Sequence, residues 1–336
     1  MIRFKIAGVL LMMFSLLQPA IAFRTPGCEV SSDEKPPEVS PVQSSLNLKF
    51  SGFAQFSFTG QPDTEDTFSV RRARLSLSGE PMKKLRFKIQ ADLTRSPILL
   101  DALAEITLIE NLSLRVGQFL VPFSLENTTS AANLRTINRS QVVEYLAPGR
   151  DNKAAGRDVG ALLFGRLSVF DYSLGLVNGS GINKKDNNDC KDFSGRFVAH
   201  LADNFAAGFS VYNGRQTIVG VPSNLARNKY GLEATWEYRW AHLSTEFIWA
   251  KDGQVERHGW YLLAAFNLKP EKYQLVFRLD WLDLDRSLPG ESTTVYLAGI
   301  NWSWNDRSKF QANFEYHHPA AGPDSQVLLL QLQVGF

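Results

Sequence analysis

The chain has 336 residues, with 36 Lys and Arg against 34 Asp and Glu, and 44% of it is hydrophobic. The near-neutral balance excludes the basic excess on which a nucleic-acid surface relies, and the apolar fraction excludes an intrinsically disordered chain. Beyond the N-terminus no segment approaches the ~18 uninterrupted apolar residues of a spanning helix, so any membrane crossing must be made by strands.

Residues 1–22 read as a secretory signal, with basic Arg3 and Lys5, the short apolar core AGVLLMMFSLL and a small-x-small site at Ala20-Ile21-Ala22. Its removal leaves 34 basic against 34 acidic residues, so partner choice must come from local charge placement. Residues 23–44, rich in Pro, Ser and acids and without apolar periodicity, predict a flexible periplasmic leader. Cys28 and Cys190 are the two cysteines. A single bridge between them is open to an oxidising compartment, although both sit in polar, loop-like surroundings, and Cys28 after Thr-Pro-Gly is a poor lipoprotein box. Residues 45–336 show no composition break and read as one domain.

From Leu46 to Phe336 we count sixteen strand-like segments. The clearest pair is the hairpin at 68–94, FSVRRARLSLSG–EPMKK–LRFKIQADLT. Leu85, Phe87, Ile89, Ala91 and Leu93 alternate with Arg86, Lys88, Gln90, Asp92 and Thr94. Before the turn, Ala73, Leu75 and Leu77 alternate with Arg72, Arg74, Ser76 and Ser78. Period two gives one apolar and one charged face. A soluble sandwich buries the apolar face, whereas a membrane barrel turns it to lipid and leaves the charges in a wet lumen.

Three features select the barrel. Every second connection is short (EPMKK, EN, SV, ADN, WA, KPE and NDR), while the others are mostly longer, notably 121–157, 180–192, 214–228 and 285–292. Trp236, Trp240, Trp302 and Trp304 fall at one end of their strands and Trp249, Trp260 and Trp281 at the other, all on the apolar parity, as two interfacial girdles require. The chain closes on the amphipathic LLLQLQVGF, which resembles the terminal signal of bacterial outer-membrane proteins. The expected fold is an all-β transmembrane antiparallel barrel of about sixteen strands in an outer membrane of Gram-negative type, its long third external loop folding inward.

The lumen parity collects Arg72, Arg74, Arg86 and Lys88, joined by Arg115 from LSLRVGQF. Glu233 with Glu237, and Arg278 with Asp280, take the same parity on later strands, so opposed walls and a transverse field are expected. The loop 121–157, at 37 residues, is far longer than a hairpin needs. It has room for a short helical piece and carries Arg135, Arg139, Arg150, Lys153 and Arg157 against Glu126, Glu144, Asp151 and Asp158, which makes it the expected constriction. Enzyme chemistry is not expected: His200, His242 and His258 are scattered, and there is no Ser-centred motif, phosphate loop or zinc-like spacing. His317 and His318 point to opposite faces of a strand, so neither a metal nor a cofactor is expected. An adhesin or receptor barrel would want several long aromatic loops.

The segments FSVRRARLSLSG, LRFKIQADLTRS, LLDALAEITL, LSLRVGQFLVPFSLEN, INRS and GLVNG resemble the phosphate-selective porins O and P over residues 68–180, with only architectural similarity beyond. The RRAR strand and the VGQF–PFSLE junction carry the likeness. The resemblance implies a homotrimer whose inward loop and arginine-rich wall pass small hydrophilic solutes or anions, phosphate among them; a non-selective general porin is the alternative. Residue by residue, it implies that Arg71 and Arg72 are the paired arginines of a central anion site, Asp101 its acidic residue and Arg139 an arginine of the constriction loop. Arg71 has lipid-side parity here, so it is expected to act from the rim or through a local twist. Asn127 stands where phosphate-binding members have a lysine after Leu-Glu, and long Lys- and Arg-rich later segments are absent, which points away from tight phosphate binding. The expected pore-lining set is Arg71, Arg72, Arg74, Arg86, Lys88, Asp101, Arg115, Asn127, Arg135 and Arg139.

Overall fold

The computed structural model describes residues 47–62, 64–216, 225–269 and 272–336. The signal at 1–22, the leader at 23–44 and Cys28 lie outside the described residues. Among the described residues Cys190 has no disulfide partner.

The chain forms sixteen strands, most of them with alternating apolar and polar positions. They are β1 (Lys49–Gly60), β2 (Thr67–Met82), β3 (Leu85–Asp92), β4 (Leu99–Ile109), β5 (Leu112–Leu120), β6 (Arg157–Leu167), β7 (Phe170–Val177) and β8 (Asp192–Ala202). The second half holds β9 (Phe205–Gln216), β10 (Leu225–Tyr238), β11 (Ala241–Asp252), β12 (Val255–Lys269), β13 (Tyr273–Asp283), β14 (Ser292–Ser303), β15 (Lys309–Pro319) and β16 (Ser325–Gly335). Neighbours in sequence pair antiparallel, and β1 pairs with β16 from Phe53↔Gly335 to Gly60↔Leu328, which closes the barrel. Closure satisfies every ladder and removes the edge that would otherwise sit unpaired in hydrocarbon.

The outer face is apolar along its height. Ile89 is 47% exposed and Phe277 45%, while their neighbours Lys88 and Arg278 turn inward to ion pairs. Turns at one rim are tight: Lys83-Lys84 and Ser168-Val169 close hairpins with Lys84 and Ser168 in the left-handed region. The first of these is shorter than EPMKK suggests, because β2 runs on to Met82.

The aromatic girdles form two rows. Tyr230, Trp249, Trp260, Trp281, Tyr296 and Tyr316 lie towards the long-loop rim, and Trp236, Tyr238, Trp240, Tyr273, Trp302 and Trp304 towards the short-turn rim. Neighbours stack across strands, as in Tyr230–Trp249 and Tyr273–Trp302. All seven tryptophans fall within residues 236–304, so the girdles belong to β10–β15. The outer face of β1–β9 is built instead from Phe, Leu, Val, Ile and Ala, with Tyr172 near its short-turn end.

The connection between β5 and β6, residues 121–156, carries two helical turns, α1 (Leu125–Thr128) and α2 (Gln141–Leu146), with a 3₁₀ turn at Ala131–Asn133 between them. Ser124, Ser130 and Ser140 cap the three turns with their side-chain oxygens. The loop packs on inward positions of the barrel wall. Phe123, Val142, Val143, Leu146 and Ala147 form one buried cluster with Tyr212, Ile248, Ala250, Tyr261, Leu263, Ala265, Val276 and Leu282. Each Val, Leu, Ile or Phe of this cluster contributes about 1.5–3 kcal/mol by leaving water.

Candidate functional site

The loop is tied to the wall along its whole length. Both carboxylate oxygens of Glu246 on β11 accept from the first amides of α1, Leu125 N at 2.9 Å and Glu126 N at 2.8 Å, and the Tyr261 hydroxyl donates to the same carboxylate. Farther along, Lys309 Nζ donates to the Leu134 carbonyl at 2.6 Å and Asn301 to that of Arg135 at 2.8 Å. The Ile137 amide donates to Asn313 at 2.7 Å. Arg278, ion-paired to Asp280 at 2.8 Å, also donates to Thr136 and to the carbonyls of Asn138 and Arg139. At the exit Asp151 accepts from Arg227 and from the fully buried Lys229. Burial raises the Asp151 carboxyl, but the two cations outweigh it and hold the group below the ordinary range. Glu126, deeper in the loop, goes the other way: burial pushes it up against the pull of Arg278 and Arg139.

Seated there, the loop leaves a passage against β1–β6. An upper chamber of about 710 Å³ at the long-loop side is lined by Arg71, Arg72 and Arg74 of β2, Lys88 and Gln90 of β3, Arg157 of β6, and Thr128–Ala131, Arg139, Glu144 and Arg150 of the loop. A lower chamber of about 540 Å³ at the short-turn side carries Lys49, Arg86 and Arg115 with Glu80, Asp101 and Glu105. Both chambers touch Lys88 and Leu120.

The cations differ in how they are held. Arg74 bonds to Asp92 at 2.9 Å, Lys88 and Arg157 to Asp101 at 2.7 and 2.6 Å, and Arg86 and Arg115 flank Glu105. Arg71, Arg72 and Arg139 have neutral acceptors instead. Arg71 donates to the Asn138 side chain at 2.7 Å, Arg72 to Gln55 at 2.8 Å, and Arg139 to the carbonyls of Glu126 and Thr129. Burial, then the neighbouring Arg150, pulls the Arg139 guanidinium down to about 9, which leaves it charged at neutral pH. The upper chamber thus carries nine cationic side chains against three carboxylates, Asp92, Glu144 and Asp151. Such an excess in a low-dielectric wall concentrates anions.

Several expectations are corrected by this geometry, and one is narrowed. Arg71, expected to act from the rim or through a local twist, enters by a local distortion of β2. The β1–β2 register slips between Gln55↔Arg72 and Phe56↔Val70, so Arg71 is the extra residue of a β-bulge and turns inward beside Arg72. Asn127 does not line the passage; it is fully buried at the loop neck, where its amide donates to the Val121 carbonyl and its oxygen accepts from Arg150 at 2.6 Å. Gly156 makes that neck possible: its φ is +78°, and a Cβ there would lie 2.1 Å from the Asn127 oxygen. Arg135 lies outside both chambers, in a smaller cavity at the short-turn rim, paired with Glu237 at 2.9 Å. The opposed acidic wall does not face the passage either. Glu233 is buried against Arg196, and Arg278 and Asp280 lie beneath the loop. Arg72, Arg74, Arg86, Lys88, Asp101, Arg115 and Arg139 do line one chamber or the other.

Two holding residues went unnoticed in the sequence. Gln55 shares the polar parity of Ser51, Ser57 and Thr59 among the phenylalanines of β1, a legible signal of inward orientation; Asn138, a loop amide, has no such signature.

Residues 43–199 match the family model of the phosphate-selective porins O and P. No curated protein sequence matches the chain. Among solved structures the barrel is similar to an anion-selective porin from Comamonas acidovorans, with 12% identity and a TM-score of 0.69, covering 87% of this chain and 100% of that one. It is also similar to OmpT of Vibrio cholerae in trimer form, with 8% identity and a TM-score of 0.68, covering 87% and 99%.

Proposed function

Taking as premise an outer-membrane porin barrel, a channel fold, we propose that the chain passes small hydrophilic anions, inorganic phosphate among them, along the arginine-lined passage. One observation carries the reading: Arg71, Arg72 and Arg139 face the upper chamber with neutral hydrogen-bond partners, so their charge is not cancelled by a carboxylate at contact. The lower chamber, with four cations to three acids, adds little, and selectivity belongs to the upper one. Because Asn127 is buried away from the passage, it gives no reason to exclude phosphate.

Assembly as a homotrimer is part of this proposal, and the one-sided girdles support a protein-covered side of the barrel. Trp and Tyr mark where a barrel meets the lipid interface, so the tryptophan-free outer face of β1–β9 fits contact with other copies. The OmpT structure is itself described as a trimer. Reversal potentials of the purified protein in planar bilayers under a KCl gradient test the function. An anion-selective potential is expected, and a cation-selective one would overturn the reading.

A further inference from the structure

The three carboxylates of the upper chamber are not equivalent. The side chain of Asp92 is 3% exposed and that of Asp151 9%, and both are taken up by cations; that of Glu144, on α2, is 55% exposed. One Glu144 oxygen accepts from Arg150 at 3.1 Å. Its charge also acts on Arg71, Arg95 and Arg139. The loop therefore holds one solvated anion among the same guanidiniums that a permeating anion meets, including three of the four (Arg71, Arg95 and Arg139, but not Arg72) that have no carboxylate at hydrogen-bond distance. An anion on a tether raises the local negative charge and competes for those donors.

We propose that Glu144 is the selectivity-determining residue of the passage: a tethered counter-anion that holds the anion preference of the upper chamber below what its arginines alone would set. The inference rests on the anion reading above. It makes Glu144 a contact for the permeating ion, and it assigns the chamber to anions that outbid a single carboxylate, with doubly charged oxyanions favoured over chloride.

The test is Glu144→Gln in planar bilayers. A unit charge about 6 Å away in a water-like medium alters ion occupancy about threefold. The chloride-to-potassium permeability ratio should therefore rise by up to about ninefold at 0.1 M KCl, about threefold from each ion, and inorganic phosphate should block chloride current at about threefold lower concentration. Raising KCl from about 0.1 M to about 1 M shortens the screening length from about 10 Å to about 3 Å, so the difference from wild type should vanish there. Glu144→Asp, which keeps the charge, should retain the wild-type ratio. An unchanged ratio in Glu144→Gln at 0.1 M, or a change that persists undiminished at 1 M, would overturn the proposal, the latter by showing a structural role. Glu144→Ala is the second charge-removing variant and is judged by the same outcomes; failure of both to assemble would equally show a structural role. A cation-selective wild type would overturn the anion reading alone, since the shift between wild type and Glu144→Gln is measured separately.

Discussion

Arg72 donates from Nη1 to the side-chain oxygen of Gln55 at 2.8 Å, a neutral acceptor across the β1–β2 ladder. Two residues on, Arg74 donates to the carboxylate of Asp92, whose side chain is 3% exposed. The two arginines share a face and a chamber but differ in what their removal leaves behind. Arg72→Ala should shift the reversal potential towards cations, more strongly at low salt, and should cost about 1–3 kcal/mol because it leaves the oxygen of buried Gln55 unpaired. Arg74→Ala strands a buried carboxylate and should cost about 3–5 kcal/mol in urea unfolding from lipid vesicles, largely recovered by adding Asp92→Asn.

The assigned faces make a second prediction. Ile89→Arg and Phe277→Arg place a charge on lipid-facing positions and should each cost about 2–4 kcal/mol near mid-bilayer. Gln90→Arg, on the chamber side of β3, should assemble normally. Heat-modified mobility on gels reads both, and equal shifts for the two classes would contradict the faces.

The loop is seated by apolar contact, so Val142→Ala and Leu146→Ala, both 0% exposed, should lower stability by about 1–2 and 2–5 kcal/mol respectively. The loop should also fluctuate in the passage. Single-channel recordings should show added open-state noise in Leu146→Ala and none in Tyr145→Ala, whose side chain is exposed.

Acid should act on the loop exit late. The carboxyl of Asp151 lies below its ordinary value when folded, so its contribution is present above the unfolded pKa of about 3.9 and is lost as pH falls through the lower folded value. Resistance of the loop to proteolysis should thus hold from pH 7 to about pH 4 and fall only below that. Asp151→Asn, which leaves buried Lys229 with only the Asp252 carboxylate at 3.8 Å, should lower that resistance already at neutral pH.

The sequence exposes those parts of the barrel where one face is wet. On β3 the alternation is clean because Arg86, Lys88 and Gln90 face the passage and Phe87 and Ile89 face lipid. On β12 the run Trp260, Tyr261, Leu262, Leu263, Ala264, Ala265, Phe266 has no polar parity at all. Its inward half, Tyr261, Leu263 and Ala265, lies under the loop, so both faces are apolar and periodicity cannot tell them apart. The arginines of the passage were legible for the same reason as β3. Arg71 was not, because a single-residue bulge reverses parity without any mark in the residues themselves. Asn127 and Arg135 were misplaced because a loop has no period to read.

The ties of the loop bear on the order in which the molecule forms. Many of its partners lie far later in the chain: Ile137 bonds Asn313, 176 positions on, and Leu134 bonds Lys309, 175 away. Contacts of such separation are slow to form and leave apolar surface uncovered meanwhile. Val142, Val143 and Leu146 find most of their buried surface on β11–β13, and the inward faces of those strands are dry only with the loop in place. The bore is therefore set jointly by a segment of the first half of the chain and the strands of its second half.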